Sequence, residues 1–409
     1  MALNQALSGI NAAQSDLNVI ANNIANAGTT GFKGSRAQFA DVFAVTGLNL
    51  NATAVGSGTR MTNVAQQFGQ GDIESTGNAL DLAISGNGFF TVNTGSGLAY
   101  TRNGSFQLDA NNNVETSDGT NSKLQIYPPN GQGGFNTSTL TNLQLTGAQS
   151  AANPTSTITV TANLNSTSTV PTTTPFNPND PTSYNNATTL TVYDSQGGAH
   201  QATVYYAKTA NNDWNANLYI DGNSAGSQPL TFNTAGALTA PANGNLTFTP
   251  VQPTNGATFP ASMTVNFTNT TQFGTAYAAG AINQNGYQAG SLSSVAINNN
   301  GIVTANYSNG QTAQLGQVAM ANFANLQGLN QMGNTSWTAS TDSGTAVMGT
   351  ANSGQFGEIQ SGSLESSNTS DTTGQLVDMI QAQRDYQANA QVLSTDNTLA
   401  STLFNAVSR

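Results

Sequence analysis

The single histidine, His200, stands in the run Asp194-Ser195-Gln196-Gly197-Gly198-Ala199-His200. A Ser/His/Asp hydrolase would have to be built on this ring, because imidazole is the ordinary general base at neutral pH. The glycine pair, however, separates two strand-like Thr-Val-Tyr runs, so the segment reads as a hairpin turn with His200 as an exposed strand residue. Glycoside hydrolysis needs two carboxyl groups converging in a cleft. The 19 acidic residues are scattered, and the nearest β-spaced pair, Asp72 and Glu74, reads as turn decoration. Gly56-Ser57-Gly58 and Gly95-Ser96-Gly97 lack the strand and helix that a phosphate-binding loop requires. Cysteine is absent, which removes thiolate nucleophiles, thiolate metal sites and disulfides, and one histidine leaves little for zinc. Asn-x-Ser/Thr triplets such as Asn165-Ser166-Thr167 are expected by chance in so Asn- and Thr-rich a chain. No enzyme activity, cofactor or metal is expected.

Charge is scarce. The 409 residues include 8 basic and 19 acidic ones, 7% in all, where soluble proteins carry about 25%. With 37% hydrophobic residues and a net charge of −11, the surface must be a neutral one of Asn, Gln, Ser, Thr and Gly. Phosphate binding needs clustered Lys and Arg, so no nucleic-acid partner is expected. No apolar run of about 18 residues exists, and the first residues lack the basic and apolar regions of a cleaved signal peptide. Neither membrane insertion nor ordinary secretion is expected.

The elements that would position functional residues are clearest at the chain ends. Leu3, Leu7, Ile10, Gln14, Leu17, Ala21 and Ile24 step by four and three, an a/d seam that Ala6, Ala13 and Ile20 widen and Gly28 stops. After Asp371, a good N-cap, a second seam runs through Leu376, Met379, Gln383, Tyr386, Ala390, Leu393, Asn397, Ala400, Phe404 and Val407. The two helices are expected to pair in a coiled-coil-like way, with Gln14, Gln383 and Asn397 fixing register at some cost in stability. Between them, alternation at Leu80, Leu82 and Ile84, at Trp214, Ala216, Leu218 and Ile220, and at Met263, Val265 and Phe267 predicts short strands. Asn-Gly and Asp-Gly turns, among them Asp118-Gly119, Asp221-Gly222 and Asn300-Gly301, make them mainly antiparallel. The fold class expected is multidomain: paired terminal α-helices with nested β-sandwich or barrel-like domains. The expected boundaries are an N-terminal helix at 1–30 pairing with 366–409, an extended connector at 31–71, and a parent β domain at 72–145 and 281–360. A Thr/Asn/Ser/Pro-rich outer domain is inserted at 146–280, and 361–409 form the return connector and C-terminal helix.

The segment Leu17-Asn18-Val19-Ile20-Ala21-Asn22-Asn23-Ile24-Ala25-Asn26-Ala27-Gly28-Thr29-Thr30-Gly31-Phe32-Lys33 is a helix with an Asn-lined polar face, two glycine turns and an extended exit. Asn donates and accepts at once, so such a face can meet identical copies without like-charge repulsion. This segment closely resembles the N-terminal signature of the bacterial flagellar rod and hook family, in which Asn22, Asn23, Asn26, Gly28, Gly31, Phe32 and Lys33 match. The C-terminal signature is matched by Gly362-Ser363-Leu364-Glu365-Ser366-Ser367-Asn368 and by the run from Leu376 through Arg384 to Ala390. Leu80-Asp81-Leu82-Ala83-Ile84-Ser85-Gly86-Asn87-Gly88-Phe89-Phe90 resembles the family's shared β segment, adding Gly86, Gly88, Phe89 and Phe90. Length, and the run from Leu190 to His200, resemble the hook branch.

The resemblance implies a structural subunit of the flagellum basal body and hook, used in motility: a homopolymer that self-assembles into a curved helical tube, the universal joint carrying torque from rod to filament. It implies helices lining a channel, unfolded type III export to an extracellular position without a cleaved signal, and contacts with the distal rod, hook cap and hook–filament junction protein. Two further expectations follow. Exchangeable Asn/Gln/Ser/Thr contacts should keep the joint soft, and the terminal helices, marginal alone, should order on assembly. Lys33, Arg36, Arg60, Arg102 and Lys123 fall in the first third, so charge-specific subunit contacts are expected there. The alternatives are a straight distal-rod subunit, which would not need the 146–280 insertion, and a secreted glycan-binding β protein, which would stay monomeric in salt.

Overall fold

A computed structural model describes residues 2–42, 56–145 and 149–407. Two helices bracket a chain of short strands: α1 (Ala2–Ala25) and α2 (Thr372–Val407). The chain divides into two compact units, one of residues 1–146, 295–305 and 313–409 and the other of 147–294 and 306–312.

In the first unit α1 and α2 lie antiparallel, since Asn23 bonds Gln375 at one end while Gly9 abuts Asn389 further along. Asp371 caps α2 through its carboxylate, which accepts from the Thr373 and Gly374 amides at 3.1 and 3.4 Å. Gly28 has an ordinary φ; the left-handed turn falls at Gly31, φ +67°. The connector that follows is a ribbon, with Ser35–Asp41 antiparallel to Thr59–Gln66. The chain then returns on itself: Ile73–Ser75 pairs Ser363–Glu365, and Leu82–Ser85 pairs Glu358–Ser361, both antiparallel. Leu82, Ala83 and Ile84 are fully buried, as expected of a strand covered on both faces. Gly104 is required beside them, because a Cβ there would lie 1.6 Å from the Leu82 carbonyl oxygen. Phe68, Phe89, Tyr100, Phe323 and Trp337 form an aromatic core, with Phe89 edge-on to Phe323 and Trp337 at 6.2 and 5.7 Å. The Trp337 indole N–H donates to Gln66 at 2.7 Å, which ties that core to the ribbon.

The second unit is a sandwich. One sheet is a meander of Asn186–Tyr193, Ala199–Ala210, Asp213–Ile220, Asn223–Phe232 and Leu238–Ala240. Asp221 and Gly222, with φ +49° and +78°, make the tight turn their sequence predicts. The other sheet centres on Thr157–Asn165, which pairs parallel with Met263–Asn266 and Thr271–Phe273, an exception to the antiparallel expectation, and antiparallel with Ala278–Gln284. The inward alternation Trp214, Ala216, Leu218, Ile220 meets Ile158, Leu164, Met263, Val265 and Phe267 in one core.

Candidate functional site

Three signature segments converge on one buried carboxylate. Glu365 enters on the returning strand Ser363–Glu365, and its side chain is wholly buried. Its Oε1 accepts from Lys33 Nζ at 2.6 Å and from the Gly71 amide at 2.9 Å. Its Oε2 accepts from Arg102 Nη1 at 3.2 Å, and its backbone carbonyl from the Gly31 amide at 2.8 Å. Lys33 also donates to the Gly69 carbonyl, and Arg102 to that of Gly86 while lying over the Phe89 ring. The carboxylate thereby holds Lys33 and Arg102 directly, and Arg102 extends the cluster to Gly86 and Phe89. Burial pushes the Lys33 ammonium below its ordinary value, against the pull of Glu365. Arg102 is pushed down likewise by burial and held up by the same carboxylate. Gly31 cannot be replaced, since its Cβ would meet the Arg102–Asn103 peptide at 2.6 Å.

Asn23 is the second knot. It is 4% exposed, and its amide joins three elements. Nδ2 donates to the Ser35 carbonyl at 2.8 Å and to Gln375 at 3.2 Å, while Oδ1 accepts from the Ser35 amide at 2.9 Å. The Asn face is therefore partly spent inside the chain. Asn22 is exposed, and Asn26 bonds back to the Asn22 carbonyl. Asn368 closes the same junction by accepting from the Gly34 amide at 2.8 Å, and Phe32 lies half-buried beside it.

The seam residues fall differently from a simple pair. In α1 the buried positions are Ala6, Ala13, Ile20 and Asn23, and in α2 Ala382. Ile10, Leu17, Ile24, Met379, Ala390 and Leu393 are half-buried. Leu3, Leu7, Gln14, Ala21, Leu376, Gln383, Tyr386, Asn397, Ala400 and Phe404 are exposed, as are Gly28, Gly86 and Arg384, whereas Gly88 and Phe90 are buried. The Val407 side chain lies outside the described ones. Within the chain the contact line is thus one step round from the expected seam. The reason is distance: small Ala6, Gly9 and Ala13 let the helices approach until a Cβ on Gly9 would lie 2.5 Å from Asn389. A Leu-centred seam would hold them further apart. Asp16 sits on this line, its carboxyl raised above the ordinary range by burial and by Asp378 and Asp385. Beside it, between α1, α2 and the ribbon, is a cavity of ≈ 410 Å³ reaching Ser35, Arg36 and Phe39.

The exposed apolar side chains are concentrated on α2. Val377, Leu399, Leu403 and Phe404 are 61, 60, 66 and 76% exposed. Residues beyond Asp396 run past the start of α1 and are exposed as far as Ala406.

Four family models match the chain: the flagella basal body rod protein model at 3–33, the flagellar hook protein FlgE/F/G D1 domain at 83–165, the flagellar basal body protein FlaE D2 domain at 163–287, and the flagellar basal body rod FlgEFG protein C-terminal model at 360–406. The chain is 43% identical to the flagellar hook protein FlgE of Salmonella typhimurium, over 99% of this chain and all of that one. It belongs to the flagellar hook protein family. The Escherichia coli hook protein FlgE is 42% identical over 99% of this chain. The crystal structure of the Helicobacter pylori flagellar hook protein FlgE2 shares the fold at TM-score 0.51 and 12% identity, covering 70% of this chain and 99% of that one. Paired terminal helices with many antiparallel strands are thus the hook-family fold.

Sequence reasoning named Lys33 and quoted Glu365 and Arg102 without joining them. Spacing offered no signal for the pairing: with 19 acidic and 8 basic residues, most acids have no cation to meet, and only the folded chain brings Glu365 to Lys33 and Arg102. The expectation that first-third cations make subunit contacts is corrected in part. Lys33 and Arg102 are consumed internally, because a buried charge without a partner is not tolerated; Arg36 and Arg60 remain exposed.

Proposed function

We propose that this chain is the structural subunit of a bacterial flagellar hook, a homopolymer whose terminal helices form the inner wall of a curved tube. The observation that carries the reading is the outward-facing apolar surface of α2 and early α1, at Leu3, Leu7, Leu376, Leu403 and Phe404. An exposed apolar stripe of this kind is what an assembly interface requires. The two helices then have two faces: Ala6, Ala13, Ile20 and Ala382 pair them within a subunit, and the exposed residues of the expected seam meet neighbouring copies. The helices order fully on assembly, since each gains its second face only there.

In this reading the β part of the first unit and the second unit, whose boundary falls at 294 and not at the expected 280, form outer layers. They shift against their neighbours through neutral Asn, Gln, Ser and Thr contacts, each worth about 0.5–1.5 kcal/mol net. The chain leaves the cell unfolded through the type III apparatus and joins rod, hook cap and junction protein at the tube's ends. It acts as a universal joint and not as an enzyme. The second unit, which a straight rod subunit would not need, supports the hook over the distal-rod role. Ammonium sulfate added to purified protein should yield tubes by electron microscopy. Leu403→Asp should abolish them while leaving the monomer's melting temperature unchanged, and tubes formed by L403D would sink the reading.

A further inference from the structure

His200 is not a free strand residue: both its ring nitrogens are engaged. Nε2 lies 3.0 Å from Asp194 Oδ2 and Nδ1 lies 2.5 Å from Asp221 Oδ2, with the histidine side chain 14% exposed. Asp194 belongs to the turn between Asn186–Tyr193 and Ala199–Ala210, and its other oxygen accepts from the Gln196 and Gly198 amides. Asp221 belongs to the next turn and accepts from the Gln201 amide at 2.9 Å. A third element closes over the ring. Phe259 packs edge-on at 5.0 Å, and the Ser195 amide and hydroxyl exchange hydrogen bonds with Thr258 at 2.9 Å. Residues 251–259 carry no charge, so among the described residues the only charged groups facing His200 are Asp194 and Asp221.

We propose that His200 is a proton-operated clasp of the second unit's sandwich: charged, it donates from both ring nitrogens and fastens two turns and the 251–259 loop together; neutral, it releases one of them. A neutral imidazole has one N–H and one lone pair. With two carboxylates in contact, the deprotonated ring would point that lone pair at an anion. The electrostatics agree. Burial works to lower the His200 value, but the hydrogen bonds and charges of Asp194 and Asp221 outweigh it and hold the ring above its ordinary 6.5. Both carboxyls are held below 3.8 by the hydrogen bond from His200 and backbone amides, although burial opposes this. The raised histidine contributes stability that is fully present below pH 6.5 and is lost as pH rises through its folded value. The lowered carboxyls contribute stability that is lost as pH falls below 3.8. The second unit is therefore tightest in mildly acidic solution and loosens on the alkaline side. This holds whether or not the chain works in a hook.

Because the chain has one histidine, its ring gives a single unambiguous NMR titration in the full-length monomer. The midpoint is expected above 6.5, with both ring nitrogens protonated below it. Hydrogen-exchange protection of the Gln201 and Thr258 amides, corrected for intrinsic exchange, is expected to fall about tenfold as the ring loses its proton. In His200→Gln that protection should be low and independent of pH. Should H200Q fold poorly, Asp221→Asn keeps the ring and should move its midpoint down. A midpoint at or below 6.5 in the wild type, the same pH-dependent loss in H200Q, or an unmoved midpoint in D221N would overturn the proposal.

Discussion

Glu365 has both carboxylate oxygens on cations and one also on a backbone amide, all out of water. Burying such ions is expensive, and removing the acid strands two positive charges. Glu365→Gln is therefore expected to destabilise the first unit by about 3–5 kcal/mol, read by urea unfolding with Trp337 as the local probe; an unchanged midpoint would contradict the cluster's structural role. Asn23→Ala leaves the Ser35 amide without its acceptor and frees the α2 terminus, at an expected cost of about 1–3 kcal/mol. Asn23→Asp should be nearly as harmful, since a carboxylate cannot donate to the Ser35 and Gln375 oxygens. This layer was only half legible. The sequence carries Asn23, Lys33 and Glu365 as parts of motifs, but which charge meets which depends on strand return over some 300 positions, which spacing does not encode.

The helix pair is set by its small residues. Ala13 is 7% exposed on the contact line, so Ala13→Leu is expected to cost about 1–3 kcal/mol by overpacking; circular dichroism melts of the helical signal would show it. Asp16 works against the pair. Its raised carboxyl, caused by burial and then by Asp378 and Asp385, means the folded state holds its proton more tightly than the unfolded chain. Pairing is thus strongest in acid and weakens as pH rises from the ordinary carboxylate value of 3.8 through the folded one. Asp16→Asn should remove that pH dependence and stabilise the pair at pH 7 by less than about 1 kcal/mol after solvent screening. A pH profile identical to wild type would be evidence against it. Helix existence, the Asp371 cap and the Trp214–Ile220 alternation were readable, because they follow from local periodicity. The rotation of the contact line was not: heptad counting ranks leucines over alanines, while the backbones approach where side chains are smallest.

At the scale of the whole molecule, the chain carries few charges, buries a Lys33–Glu365–Arg102 cluster, and presents apolar helix faces and largely neutral β surfaces. The scarcity of charge was the most readable global feature, and it suits the proposed role of a subunit that meets other copies of itself. Deleting residues from 397 onward removes only exposed side chains among the described ones. The truncated monomer should therefore melt like wild type yet fail to form tubes in a sedimentation assay. The most direct test is a helical reconstruction of the assembled tube. The account predicts α1 and α2 around the channel, with Leu3, Leu7, Leu376, Leu403 and Phe404 buried against neighbouring copies. A tube in which those side chains remain in solvent, or in which the helices lie outside the β layers, would contradict it.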